Sequence, residues 1–134
     1  MKKILFVCVE NAGRSQIAEA FFRKYMPKGF EVISAGTKPS VQVNPTVLQA
    51  MKEIGIDIEN QTPKLISKQI ISESEKTINM GCMDKESCPA LFMNDVLDWQ
   101  IPDPKGKSIE EVRKIRDEIE TKIVTLIKSL QESI

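Results

Sequence analysis

Ile4-Leu5-Phe6-Val7 is an unbroken apolar run closed by Cys8, and helical periodicity begins a few residues beyond it. A strand that alternates apolar and polar residues can keep one face in water. A strand apolar at every position has to be covered on both faces. A strand feeding directly into a helix is also the first half of a crossover unit, so the covered sheet is expected to be parallel, with helices as its outer layers.

The rest of the chain repeats this alternation. After the strand Lys2 to Cys8, residues Ile17, Ala18, Phe21, Phe22 and Tyr25 fall on one helical face, and Pro27 and Gly29 stop that helix. Phe30 to Gly36 reads as a second strand. Asn44-Pro45 is a helix start, with an N-cap followed by proline at the first helical position. Val47, Leu48, Met51 and Ile54 give that helix its stripe, and Gly55 ends it. A short helix is expected after Pro63. Lys76 to Gly81 and Asn94 to Ile101 read as the third and fourth strands. Ser108 with Glu111 has the pattern of a capping box. It opens a long helix with Ile109, Val112, Ile115, Ile119, Ile123, Leu126 and Leu130 on one side.

The expectation is one α/β domain over residues 1–134, a four-stranded parallel sheet in three layers. Right-handed crossovers leave the first strand inside the sheet. The ligand crevice of such a sheet lies at the carboxyl ends of its strands. Cys8, Gly81-Cys82 and the loop after Ile101 all fall at that edge.

Composition narrows the function. Lysine plus arginine and aspartate plus glutamate each number 19, so no basic excess points to nucleic acid or a membrane surface. The N-terminal apolar run, Ile4 to Val9, is broken by Glu10 and is too short for a secretory core. A cytoplasmic monomer is expected. Its cysteines are then reactive or buried thiols in preference to structural disulfides. With no histidine and three cysteines, neither a zinc site nor any cofactor is expected.

Cys8-Val9-Glu10-Asn11-Ala12-Gly13-Arg14-Ser15 must turn a strand into a helix. A turn that tight gathers backbone N–H groups at the positive end of a helix, a cradle for a tetrahedral oxyanion. Gly13 allows close backbone approach, and Asn11 tolerates left-handed geometry. Arg14 offers a planar fork of donors. Helix N-termini and cations favour thiolate over thiol, and Ser15 can donate to the sulfur, so Cys8 needs no histidine to become a nucleophile. Val9, Glu10, Asn11, Ala12 and Gly13 supply the loop backbone. Glu10 is compatible with a bound anion only if its side chain points away.

Cys82 and Cys88 flank a polar run, and two thiols on one loop near an activated third suggest a thiol–disulfide relay. Asp103 sits between two prolines, placed to protonate an oxygen leaving the central atom.

The stretch VCVENAGRSQIAEAFF resembles the anion loop and first helix of the low-molecular-weight tyrosine phosphatase superfamily. SAGT, VNPTVLQAMKEIGIDI, the Cys82/Cys88 loop and DPKG are similar to its thioredoxin-coupled arsenate reductase branch. The resemblance implies that Cys8 attacks arsenate held by the loop and Arg14, and that Asp103 assists loss of an oxygen. Cys82 then displaces arsenite, leaving a Cys8–Cys82 disulfide. Cys88 transfers this to Cys82–Cys88 for a thioredoxin-type reductant. Many members carry Thr-Gly-Asn-Ser-Cys where this chain has Val9 to Gly13, a change expected to tune a site built from backbone donors.

Some members also bind a monovalent cation beside the loop. Asn11, Glu19 and Ser34 match three of its ligands, and Lys64 stands at the fourth, so its ammonium is expected in the ion's place. Two other readings are a protein-tyrosine phosphatase using Cys8, Arg14 and Asp103 with idle loop cysteines, and a non-enzymatic oxyanion-binding or redox-sensing module.

Overall fold

The computed structural model describes residues 1–80 and 96–132. Its strands are β1 (Lys2–Cys8), β2 (Phe30–Gly36), β3 (Lys76–Asn79) and β4 (Val96–Asp98). They pair in parallel in the order β2-β1-β3-β4, with β1 inside the sheet. The helices are α1 (Arg14–Tyr25), α2 (Pro45–Lys52), α3 (Lys68–Glu73) and α4 (Ile109–Glu132). The expected parallel three-layer sheet is the observed one.

The apolar run of β1 explains the layering. Ile4, Phe6 and Cys8 face one side and pack beneath α1, α2 and α4, while Leu5 and Val7 face the other with Ala35 and Ile71, beneath α3. Each of these large side chains is stabilised by about 1.5–3 kcal/mol on leaving water. Phe22 of α1 sets its ring edge-on to Phe6 and Phe30, with centroids 5.9 and 6.5 Å away. This fixes α1 over the sheet, and with it the loop that α1 opens from.

Local signals place most helix starts. Asn44 caps α2 by accepting from the Thr46 N–H at 2.9 Å, and Pro45 takes the first turn. Ser108 accepts from the Glu111 N–H at 3.3 Å. The reciprocal half of that capping box is replaced by the Glu111 carboxylate lying 4.0 Å from the Lys107 ammonium.

Three expectations need correction. The short helix does not follow Pro63 directly but starts at Lys68, capped by Ser67. Before it the chain stays extended, because the Gly36 N–H donates to the Lys64 carbonyl and the Ile66 N–H to the Gly36 carbonyl. Tyr25, counted in the apolar stripe of α1, is exposed and donates its hydroxyl to Glu120 at 2.7 Å. Ile54 is likewise exposed, and Ala50 takes its place in the core. The expected end of the third strand at Gly81, the start of the fourth at Asn94, and Cys82 and Cys88 lie outside the described residues. No helix among the described residues is long and apolar enough to cross a membrane.

Replacing Phe22 by alanine removes the anchor of α1. It is expected to destabilise the fold by about 3–5 kcal/mol, a fall in melting temperature of roughly 10 °C or more. A loss under about 1 kcal/mol in thermal denaturation would show that α1 is held elsewhere.

Candidate active site

Between β1 and α1 the chain makes a loop whose carbonyls are all tied away from its centre. The Val9 carbonyl accepts from the Lys38 N–H at 2.8 Å, Glu10 from Ser40 at 2.9 Å, Ala12 from Asn44 at 2.8 Å and Gly13 from Ile17 at 3.0 Å. The Asn11 carbonyl accepts from the Gln16 side chain at 2.9 Å. Across a trans peptide, a carbonyl and the following N–H point in opposite directions. Five outward carbonyls therefore turn five N–H groups, those of Glu10 through Arg14, toward the concave side. The carboxyl ends of the parallel strands place this nest where such sheets bind ligands, and its curvature suits an anion.

Reversing the chain this sharply takes two backbone concessions. Asn11 adopts φ of 52°, a left-handed conformation asparagine accepts more readily than most residues. Gly36 on β2 lies so close that an added Cβ would stand 2.5 Å from the Val9 carbonyl oxygen. Only glycine lets the second strand pass there.

The side chain of Asn11 then orders the floor of the site. Its Oδ1 accepts from the Lys64 backbone N–H at 2.9 Å, which fixes which end of the amide is oxygen. Its Nδ2 donates to Ser15 Oγ at 2.7 Å and to Ser34 Oγ at 3.0 Å. Ser34 passes its own proton to the Glu19 carboxylate at 2.9 Å. Ser15 Oγ lies 2.8 Å from Cys8 Sγ in a hydrogen bond that either atom can donate, and Ser15 is the donor when the sulfur is a thiolate. A chain of hydrogen bonds thus runs from one backbone N–H to the Cys8 sulfur, which is buried and free.

Asn11, Glu19 and Ser34 are gathered as the cation-site pattern implies, but the Lys64 ammonium is not among them. Its Nζ donates to the Thr62 carbonyl at 3.2 Å and is exposed; Lys64 contributes its backbone N–H alone. The positive partner of buried Glu19 is Arg23, one turn on, at 3.1 Å.

The loop after Ile101 closes the site from above. Arg14 Nη1 donates to the Ile101 carbonyl at 3.1 Å, and Nη2 stands 3.7 Å from Asp103 Oδ2. Asp103 Oδ1 accepts from the Lys105 N–H at 3.0 Å, the short turn its place between prolines favours. Pro104 rests on Gly13, where a Cβ would lie 2.7 Å from Pro104 Cγ. The Glu10 side chain, expected to point away, lies along the cavity lining and meets Lys105 Nζ at 2.8 Å. That carboxylate, by hydrogen bond and charge, holds the Lys105 ammonium above its ordinary range. A cavity of about 20 Å³ lies here, lined by Cys8, Gly13, Arg14 and Asp103 among others.

Chain, loop and acid are combined in one known architecture. The family description "Low molecular weight phosphotyrosine protein phosphatase" matches residues 3–134. The chain belongs to this family. It is 40% identical over 124 residues to arsenate reductase 2 of Staphylococcus haemolyticus, covering 91% of this chain and 93% of that protein. Among solved structures it is similar to a thioredoxin-dependent arsenate reductase of Corynebacterium glutamicum, at 37% identity and a TM-score of 0.84, over all of this chain and 64% of the other. It is also similar to the YwlE arginine phosphatase of Geobacillus stearothermophilus, at 29% identity and a TM-score of 0.89, over 99% and 95% of the two chains.

Sequence reasoning missed four members of this family site. Gln16 pins the Asn11 carbonyl, and its own side-chain oxygen accepts from Gln61 at 2.6 Å. Gln61 in turn accepts from Arg23 at 3.2 Å, closing a ring around Glu19. Asn44 lines the cavity as well as capping α2. The only signal was the spacing of Gln16, Glu19 and Arg23 along one side of α1, a pattern that ordinarily marks a solvated face.

Asn11→Gly keeps the left-handed backbone free but strands its partners, and should cost about 1–3 kcal/mol. Asn11→Ala should cost roughly 1–2 kcal/mol more, from the φ it must adopt. Lys64→Ala should change stability by less than about 0.5 kcal/mol. If melting curves show Lys64→Ala as damaging as Asn11→Gly, the ammonium and not the backbone N–H supports the loop.

Proposed function

We propose that this protein reduces arsenate to arsenite. The observation carrying the reading is the small nest of five inward amides, with Cys8 on its floor and Arg14 and Asp103 at its rim. Inward amides and the Arg14 fork hold the oxyanion, and Ser15 donates to the thiolate beneath it. Cys8 attacks arsenic, and Asp103, in its acid form, protonates the oxygen that leaves as water.

The relatives named arsenate reductase support the next step, and so does the three-cysteine set. Cys82 attacks the Cys8 sulfur. A sulfur–sulfur bond forms, and the sulfur–arsenic bond gives its electron pair to arsenic, which leaves as arsenite two electrons richer. Cys88 attacks Cys82 and frees Cys8, and a thioredoxin-type dithiol reduces the Cys82–Cys88 disulfide. The loop cysteines enter this proposal from the sequence. A monomeric cytoplasmic protein is part of the same reading.

The second reading is a protein-tyrosine phosphatase, favoured by the place of Asp103 beside Arg14 and by the family description that matches the chain. It uses Cys8, Arg14 and Asp103 in the same roles, with water freeing Cys8.

The test is oxidation of a thioredoxin, thioredoxin reductase and NADPH system on adding arsenate, run beside p-nitrophenyl phosphate hydrolysis. Cys8→Ser should abolish both, and turnover in that variant would remove Cys8 as nucleophile. Cys82→Ser should stop repeated arsenate turnover and spare hydrolysis. Arsenate turnover undiminished in Cys82→Ser would defeat the relay. Asp103→Asn should slow hydrolysis of phosphate esters with poor leaving groups more than those with good ones; equal slowing would deny it the acid role.

A further inference from the structure

An acid side chain on an anion-binding loop is a cost unless something uses it. Glu10 carries the one carboxylate among the five residues Val9 to Gly13, and it meets Lys105, 2.8 Å away and 95 positions later in sequence. Lys105 stands two residues past Asp103 on the loop that roofs the cavity, and both partners line that cavity. Among the described residues the roof has three other attachments: the Ile101 carbonyl and Asp103 meet Arg14, and Pro104 meets Gly13. The Glu10–Lys105 pair joins floor loop to roof loop beside them, and both of its side chains are partly exposed, at 39% and 68%.

We propose that the Glu10–Lys105 ion pair is a specificity device, closing the roof loop over the anion loop so that bare tetrahedral oxyanions are favoured over bulky phosphate esters. The inference rests on the reading of the site as an oxyanion reductase and assigns its selectivity to two named residues. The physical basis is that an ester carries its alkyl or aryl group out through the mouth of the nest, where this pair stands, whereas a bare ion does not. The cavity that the pair helps to line is about 20 Å³. Lys105 also cancels the Glu10 charge, so the acid does not repel the incoming anion. An exposed pair is weak, so simple deletion should shift selectivity by only about two- to fivefold. Reversing one charge converts attraction into repulsion between the loops and should act more strongly.

The experiment compares wild type with Lys105→Gln, Lys105→Glu, Glu10→Lys and the double exchange Glu10→Lys/Lys105→Glu. Each is assayed for kcat/KM toward p-nitrophenyl phosphate and for inhibition of that reaction by inorganic phosphate. Both are anions, so the ratio of ester efficiency to phosphate affinity cancels the change in local charge and reports access. The ratio should rise up to about fivefold in Lys105→Gln and further in each single reversal. It should return toward wild type in the double exchange. A purely structural role would leave the ratio flat while stability fell, which thermal denaturation of the same variants reads. A flat ratio across the series, or a rise in the single reversals that the double exchange does not undo, overturns the proposal. The failure of the reductase reading is separate: it would be wild type unable to oxidise thioredoxin on adding arsenate, while the ratio still follows the charges.

Discussion

The site depends on one hydrogen bond whose donor has no side-chain identity. The Lys64 backbone N–H meets Asn11 Oδ1 and thereby orients the whole amide. With the oxygen end taken, the nitrogen end donates to two hydroxyls; Ser34 passes its proton to Glu19, and Ser15 meets Cys8. The orientation of the amide is set without any titratable base. Reversing the Asn11 amide would set its oxygen against Ser15 and Ser34 and draw the Ser15 proton away from the sulfur.

Holding that amide still requires the whole sheet edge. The extended stretch containing Lys64 is kept in place by its bridge to Gly36, and Gly36 passes the anion loop at a distance no side chain would permit. The loop from Lys38 to Asn44 supplies three N–H groups to the outer side of the nest. Phe22, wedged between Phe6 and Phe30, fixes the helix that carries Arg14, Ser15, Gln16 and Glu19. Packing and polar order here are two parts of one arrangement: the aromatic face of α1 sets its height over β1, and its polar face, buried rather than solvated, reaches the loop.

Legibility in the sequence followed the range of the interaction. The sheet, its parallel sense and the inside place of β1 were readable because they follow from periodicity and from strand-to-helix distance. The nest was readable because Cys8, Arg14 and Ser15 are close in sequence. The start of α3 was misread because a bridge to Gly36, set by tertiary contact, overrides local helix preference. Gln16 and Gln61 were invisible for the same reason, their partners being set by the fold. Lys64 is the instructive case. Alignment to a cation-site pattern found the right position and the wrong atom, since a backbone N–H is common to nearly every residue and leaves no trace in residue type. Glu10 was legible as a problem, and its solution, Lys105, lay too far along the chain to be paired without coordinates.

Five inward amides also make the nest a receptor for negative charge. Their N–H groups converge on a space near the positive end of α1. A dissolved tetrahedral anion suits this field, and it meets it only in the folded chain, because the outer walls come from segments some thirty and ninety residues away. Ligand and fold are therefore thermodynamically linked. At a free anion concentration about one hundred times its dissociation constant, occupancy adds roughly 2.7 kcal/mol to the folded state. Part of the cohesion of this domain is thus borrowed from solution, and it varies with the oxyanion content of the surroundings.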